Sequence, residues 1–255
     1  MNRIRLAALS ASVFALALTA PARDARAAAE VYNFNLALSA VPSSVTSGGF
    51  NDVIDQHNRF ILEPRDYASL DQIGFGWMFE AELRYFVRQN VAISAGVGQL
   101  KTQSKQEYLP LINQSIDVRA EVITVPVHVG ADYYFSPYNQ GDFQARAYLG
   151  GGVLSNVYSR ATFEQNENNT DPLTTVGGSF VARSTRDSPG YYIQTGVHMF
   201  FASHWSVMIG LVYRSAKIER LIDQETREPV RDLLGNTVDL DLSGGGVRLG
   251  VARGF

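Results

Sequence analysis

The stretch Gly74-Phe75-Gly76-Trp77-Met78-Phe79-Glu80-Ala81-Glu82-Leu83-Arg84-Tyr85-Phe86-Val87-Arg88 decides how the rest of the chain is read. Its odd positions (Phe75, Trp77, Phe79, Ala81, Leu83, Tyr85, Val87) are apolar throughout. Its even positions include Gly74, Gly76, Glu80, Glu82, Arg84 and Arg88. Strict period-two alternation puts the two sets on opposite faces of one extended strand. The run outlasts a typical globular strand of ~5–6 residues, but it suits a tilted strand crossing a bilayer, which needs roughly 9–11. A soluble sandwich or small barrel shows the same alternation turned inside out, so the remainder of the chain must say which face meets which solvent.

Composition narrows the choice. The 255 residues include 22 Gly, 14 Phe, 12 Tyr and no Cys. After the N-terminus no apolar run approaches the ~18 residues of a membrane helix. The N-terminus itself reads as an export signal: Arg3 and Arg5, the apolar run Leu6 to Ala20, then Ala25-Arg26-Ala27 as a small-x-small cleavage site. Residues 1–27 are expected to be removed, leaving 28–255 as one domain. Loss of that Arg-rich leader makes the chain more acidic than its formal −3, which gives no support for nucleic-acid binding.

Outward from the central stretch, similar strands recur. A first runs from Val31 to Ala40 and is expected to stop at Val41-Pro42, because proline removes a ladder donor. Between it and the central strand, Phe50, Val53, Ile54, His57 and Ile61 repeat at helical spacing, predicting a short amphipathic helix closed by Pro64. His57 has no second ligand at i+3 or i+4 and reads as a packed or solvated side chain. A turn at Gln89-Asn90 leads to a third strand that leaves the membrane at Lys101, followed by an exposed loop to Gln114. The fourth strand carries Ile116 to Val122 on one parity and Ile123 to Phe135 on the other, which predicts a β-bulge near Val122-Ile123. A fifth runs from Phe143 to Val153, and 161–189 reads as a long polar loop. Tyr191–Phe201 and Trp205–Tyr213 form a hairpin; a charged connection follows, and a last strand from Val238 shifts register at Gly244-Gly245-Gly246 and ends at Phe255.

Three features orient this set. Connections alternate long and short, as in barrels with short periplasmic turns and longer external loops. Aromatics of the apolar parity gather at strand ends: Tyr32, Phe34, Tyr85, Tyr133, Phe135, Phe143, Phe201, Trp205 and Phe255 at the bottom, and Phe75, Trp77, Tyr191 and Tyr213 at the top, as expected for interfacial girdles. The opposite parity carries Glu80, Glu82, Arg84, Asp132, Arg146, Arg214, Asp241 and Arg248. On a lipid face each Arg would cost ~2–4 kcal/mol at mid-membrane, whereas in a lumen opposite charges can pair. The expected fold is therefore all-β: an antiparallel up-and-down transmembrane barrel of about eight strands, with a short helix in its first long loop.

The chain resembles the small eight-stranded outer-membrane barrels of Gram-negative bacteria, the OmpA transmembrane-domain, OmpX and OmpW group. The resemblance rests on the export signal, the alternating strands, and the terminal strand Val247-Arg248-Leu249-Gly250-Val251-Ala252-Arg253-Gly254-Phe255. Members typically end in an aromatic recognised by the barrel-insertion machinery, a role the resemblance implies for Phe255; where many carry another aromatic two residues earlier, this chain has Arg253. The resemblance implies residence in the cell outer membrane, contact with its lipid and lipopolysaccharide, and a monomer without cofactor.

Three functions compete. The first is a non-catalytic barrel with a structural or surface-interaction role, in which the lumen charges form an ion-pair network that fixes register, since eight strands enclose barely enough room for their own side chains. The second, which the likeness to OmpW implies, is a narrow conduit for small apolar or amphipathic solutes, with the loop helix as a gate and Gly74, Gly76, Gly96, Gly98, Gly150 and Gly152 thinning the lumen wall. The third is a lipid-modifying enzyme. His204 and Ser206 are spaced His-x-Ser as in some eight-stranded deacylases, but the Asn that follows there is Val207 here, and the pair falls at a periplasmic turn. No catalytic, cofactor or metal residues are assigned.

Overall fold

A computed structural model describes residues 33–111, 114–140, 143–169, 180–183, 189–201 and 204–255. The leader, its cleavage site and Tyr32 lie outside the described residues. Eight antiparallel strands form the wall: β1 (Phe34–Ser44), β2 (Phe75–Arg88), β3 (Val91–Leu111), β4 (Gln114–Tyr134), β5 (Phe143–Asn169), β6 (Pro189–Phe200), β7 (Trp205–Ser215) and β8 (Gly244–Gly254). Each pairs with its neighbours in sequence, and β8 returns to β1 in the register Leu36↔Arg253 through Ser43↔Gly246. Closure leaves the lower, membrane-crossing part of the wall no free edge, the requirement for a sheet in lipid. The strand ends Arg88 and Val91, Tyr134 and Phe143, and Phe200 and Trp205, between which the short connections run, all lie at one end, opposite the long connections at 45–74 and 216–243.

Several strands depart from their expected bounds, each for a local reason. β1 does not stop at Val41-Pro42. Pro42 pairs with Trp77 of β2, and its missing N–H falls where the ladder to β8 is interrupted between Ala40 and Ser43. β3 does not end at Lys101 but continues to Leu111, so the expected loop to Gln114 is instead the top of a tall hairpin. Residues 161–169 likewise extend β5, and Phe180–Arg183 add a short strand against it; the rest of that expected loop, 170–179 and 184–188, lies outside the described residues. At 21, 21 and 27 residues, β3, β4 and β5 far exceed what a bilayer needs and rise above it as one flank.

The expected bulge at Val122-Ile123 is absent, because β4 holds one parity inward along its whole length. Ile116, Val118, Ala120 and Val122 are as buried as Thr124, His128 and Asp132 below them. What changes is the surroundings: lipid outside the lower part, and an apolar core inside the upper part. The bulge sits one strand over, where Val125 pairs with Tyr158 and Pro126 with Asn156, leaving Val157 unmatched on β5. Pro126 has no N–H to give at that step, so the ladder bond that a bulge disrupts is missing already. Beyond it β5 turns its odd residues inward, and Ser159, Ala161 and Phe163 are buried.

That upper core, the crown, is capped by the predicted helix, α1 (Gly49–His57), which continues as a π-helical stretch, Asn58–Leu62, and a 3₁₀ turn, Glu63–Arg65. Phe50 and Ile54 are fully buried, one helical turn apart on the face the spacing predicts, in one core with Val118 and Phe163, and Phe50 meets Phe180 edge-on. Burial of such side chains is worth roughly 1.5–3 kcal/mol each. Side-chain clamps hold the segment. Asp239 accepts from the Gly49 amide at 2.8 Å, Asn51 exchanges two hydrogen bonds with Ile73, and Asn58 exchanges two with Leu70. Val238, Leu240 and Leu242, expected to begin the last strand, instead join this core. Leu240–Asp241 pair with Lys217–Ile218 in a separate two-stranded ribbon, and β8 starts at Gly244.

Candidate functional site

Below the crown, the inward parity of β2 presents Glu80, Glu82 and Arg84 on successive steps. Opposite them β3 offers only Gly98, Gly96 and Ser94, which leaves the long charged chains room to cross the lumen. The need is local: a Cβ on Gly96 would stand 2.5 Å from Cε1 of His128, and one on Gly150 would overlap the Asp132 carboxylate.

The charged groups meet there. Arg248 donates from Nη2 to both oxygens of Glu80 at 2.9 Å, donates from Nη1 to Gln194, and lies 3.6 Å from Glu82. Arg84 ion-pairs with Glu82, lies 3.8 Å from Asp132 and donates to the Tyr134 hydroxyl at 2.6 Å. His128 places Nε2 3.0 Å from Glu82 and 3.2 Å from Glu80. Gln194 donates to Asp132 at 2.6 Å. The connections run on through Tyr134 to His198 Nδ1 at 3.2 Å, and from His198 Nε2 to Ser206 at 2.8 Å. Removing such charges from water is expensive and is offset only when the remaining lone pairs and protons find partners; Tyr134, Gln194 and His128 supply some of them, while Arg84 Nη2 and Arg248 Nε are left without a hydrogen bond.

Of the residues singled out from sequence, Glu80, Glu82, Arg84, Asp132 and Arg248 come together in this network. Arg146 is buried in the lumen but lies over the Tyr134 ring at 5.5 Å, with no ion pair among the described residues. Arg214 is buried higher up, donating to the Leu242 carbonyl at 3.1 Å, the Ser43 hydroxyl at 3.4 Å and the Met78 sulfur at 3.5 Å. Asp241 is not a lumen residue. It sits in the crown ribbon, half-buried, accepting the Ser243 amide at 2.9 Å. It was misplaced because Val238 to Leu242 alternates like a stave while pairing outside the barrel. Phe255 is exposed at the seam of the wall, stacked on Phe34 at 6.1 Å. His128, Tyr134, Gln194 and His198 were missed. Their only sequence signal is their parity, which they share with the charged set.

Glu80, Glu82 and His128 bring ligand atoms within 4.8 Å of one another, the one grouping among the described residues that could hold a metal ion. Both carboxylates already accept from guanidinium groups, so a cation there would have to displace Arg248 and Arg84. The His204-x-Ser206 pair is split by the wall. His204 is exposed at the turn, whereas Ser206 points inward to His198, with both members of that pair 2 % exposed or less.

Buried side chains cross the lumen at three heights. Phe86, Tyr134, Tyr148 and Phe200 form an aromatic floor, with Phe86 5.0 Å from Tyr134 and 6.5 Å from Phe200 between ring centres. The ion network occupies the middle, and the apolar crown with α1 closes the top. In the crown, burial and then the nearby Arg65 hold His57 below the ordinary imidazole value, so it packs as a neutral ring, 4.9 Å from Phe163.

Among solved structures, the outer membrane protein OprG from Pseudomonas aeruginosa is 13 % identical, with 89 % of this chain and 98 % of that one covered at a TM-score of 0.45. Neisserial surface protein A is 14 % identical, with 88 % and 97 % covered at 0.42, and the outer membrane protein AlkL is 13 % identical, with 93 % and 95 % covered at 0.43. No curated protein sequence matches. The profile described as outer membrane protein beta-barrel domain spans residues 7–255, nearly the whole chain. The chain therefore belongs to the outer membrane protein beta-barrel domain family, and its place is the cell outer membrane.

Proposed function

We propose that this protein is a non-conducting, non-catalytic barrel with a structural or surface-interaction role. The observation that carries the reading is that buried side chains cross the lumen at three heights: the aromatic floor, the ion network and the crown core. Planar-bilayer recording tests it: the wild-type chain is expected to give no discrete openings, and reproducible single-channel steps would overturn the proposal.

The competing reading is a narrow conduit for small apolar or amphipathic solutes. In its favour, the upper closure is made by a loop segment, α1 and its continuation, rather than by the wall itself. Deleting residues 48–64 separates the two. The network of Glu80, Glu82, Arg84 and Arg248 remains below, so the non-conducting reading expects silence, whereas a gated conduit would open. Enclosure of His198 and Ser206 argues against a hydrolytic role, and a serine-reactive phosphonate is expected to leave Ser206 unlabelled. The proposed partners are outer-membrane lipid and lipopolysaccharide, and the insertion machinery acting on Phe255. The barrel works as a monomer and takes no nucleic acid or cofactor.

A further inference from the structure

We infer that the flank formed by β3, β4, β5 and the short strand Phe180–Arg183 carries a binding surface for the phosphate groups of an outer-leaflet glycolipid, centred on Arg160 and Arg183. This rests on the lipid partner proposed above and assigns it residues; it does not depend on whether the lumen conducts.

The argument begins with register. Lys101 pairs with Ile123, Ile123 with Arg160, and Arg160 with Arg183, so these four side chains form one row on the outer face of the sheet. Arg160 and Arg183 stand directly opposite each other. Like charges in that relation destabilise an antiparallel pair. No carboxylate among the described residues forms an ion pair with either guanidinium; Arg160 donates from Nε to the Thr162 hydroxyl at 3.2 Å, and Arg183 lies over the Tyr158 ring at 5.5 Å. At the other end of the row and further up the flank the cations are matched: Lys101 and Arg119 share Glu121, and Lys105 reaches Asp117 at 3.4 Å. Among the described residues of this flank, Arg160 and Arg183 are therefore the cations without a carboxylate partner.

That place is the edge of the lipid-facing band. Directly beneath lie exposed Val157 and Tyr158, and below them Val153 and Val129. Because barrel strands tilt by roughly 35–45°, a register row climbs across the sheet, and the cations of this row span a band on the order of 10 Å deep. An interfacial tyrosine with arginines just above it matches the polarity of a lipid headgroup over acyl chains. Two planar guanidinium groups side by side suit a phosphate, which accepts paired N–H bonds and supplies the missing negative charge.

The test uses the full barrel refolded in detergent, with heat-modifiable gel migration as the check of folding and native mass spectrometry as the readout. The probes are bis-phosphorylated lipid A, its dephosphorylated form, and inorganic phosphate. Arg160→Gln with Arg183→Gln is expected to weaken lipid A binding about tenfold, while the corresponding double Lys variant retains most of it. Lys217→Gln, in the crown ribbon, leaves binding unchanged, and the dephosphorylated lipid does not distinguish wild type from the double Gln variant. Should the double variant fail to fold, Arg183→Gln alone, at an exposed position, is expected to give about a threefold loss. Undiminished lipid A binding by the Gln variants would overturn the proposal. So would displacement of lipid A by millimolar inorganic phosphate, which would make the lipid incidental to a site for free anions.

Discussion

Along β3 the outward residues are Ile93, Ala95 and Val97 in the lower section and Gln99, Lys101, Gln103, Lys105 and Glu107 in the upper. The inward residues shift less sharply, from Ala92, Ser94, Gly96 and Gly98 to Leu100, Thr102, Ser104, Gln106 and Tyr108. β4 repeats the exchange, with Val118, Ala120 and Val122 inside above and His128 and Asp132 inside below. The backbone keeps one parity while the solvent rule inverts. In the lower section lipid is as apolar as any core, so the side chains that hold the inside together are ionic and polar. In the crown water surrounds the wall, and apolar burial is again the driving force.

The comparison predicts which substitutions each section tolerates. The largest loss is expected for Arg248→Met, which strands Glu80 without the guanidinium that holds both its oxygens: about 3–5 kcal/mol in a urea-unfolding titration of the lipid-embedded barrel. If the variant unfolds like wild type, the network does not hold the lower section. In the crown, Ile54→Ala removes a fully buried side chain and should cost about 3 kcal/mol, read as earlier deuterium uptake in α1 with the membrane section unchanged. Uptake rising equally in both sections would mean that they unfold as one unit.

A smaller effect separates the outer faces. Leu83→Arg on the lipid side should cost roughly 2–4 kcal/mol, depending on depth, whereas Gln103→Arg in the crown should fall within about 0.5 kcal/mol of neutral. Equal costs would mean that the change of solvent lies elsewhere on the strand. The smallest effect concerns Asp239. Burial raises its carboxyl, but the Lys217 ammonium and the Gly49 amide outweigh burial and hold it below the ordinary carboxylate range. A lowered folded value means that the contribution is fully present above the unfolded value of ~3.9 and is lost as pH falls through the folded one. Lys217 is half exposed, so screening limits the pair to less than about 1 kcal/mol. Asp239→Asn should loosen the start of α1 slightly at neutral pH and abolish its further loosening in acid, measured by amide exchange near Gly49.

Much of the lower section is readable without coordinates, because alternation in Phe75–Val87 and its counterparts is a local property of a strand in lipid. Five lumen charges share a parity for the same reason, and they meet once the wall closes. The polar partners His128, Gln194 and His198 carry no charge pattern that would mark them. Asp241 and the Val122-Ile123 switch misled for one shared reason: an apolar parity was assigned to lipid where it faces a water-surrounded core. Period-two alternation does not distinguish these two cases.

From the chain alone follow the barrel, its strand count, the orientation of its lower faces and the existence of α1, since each depends on side chains a few residues apart. Only the tertiary structure decides where the wall leaves the membrane, which residues cross the lumen to meet, and that α1 seals the top. Those depend on register between strands distant in sequence, as Asn156 opposite Pro126 and Arg160 opposite Arg183 illustrate. A strand's own sequence states which face is apolar; what that face touches is set by its neighbours.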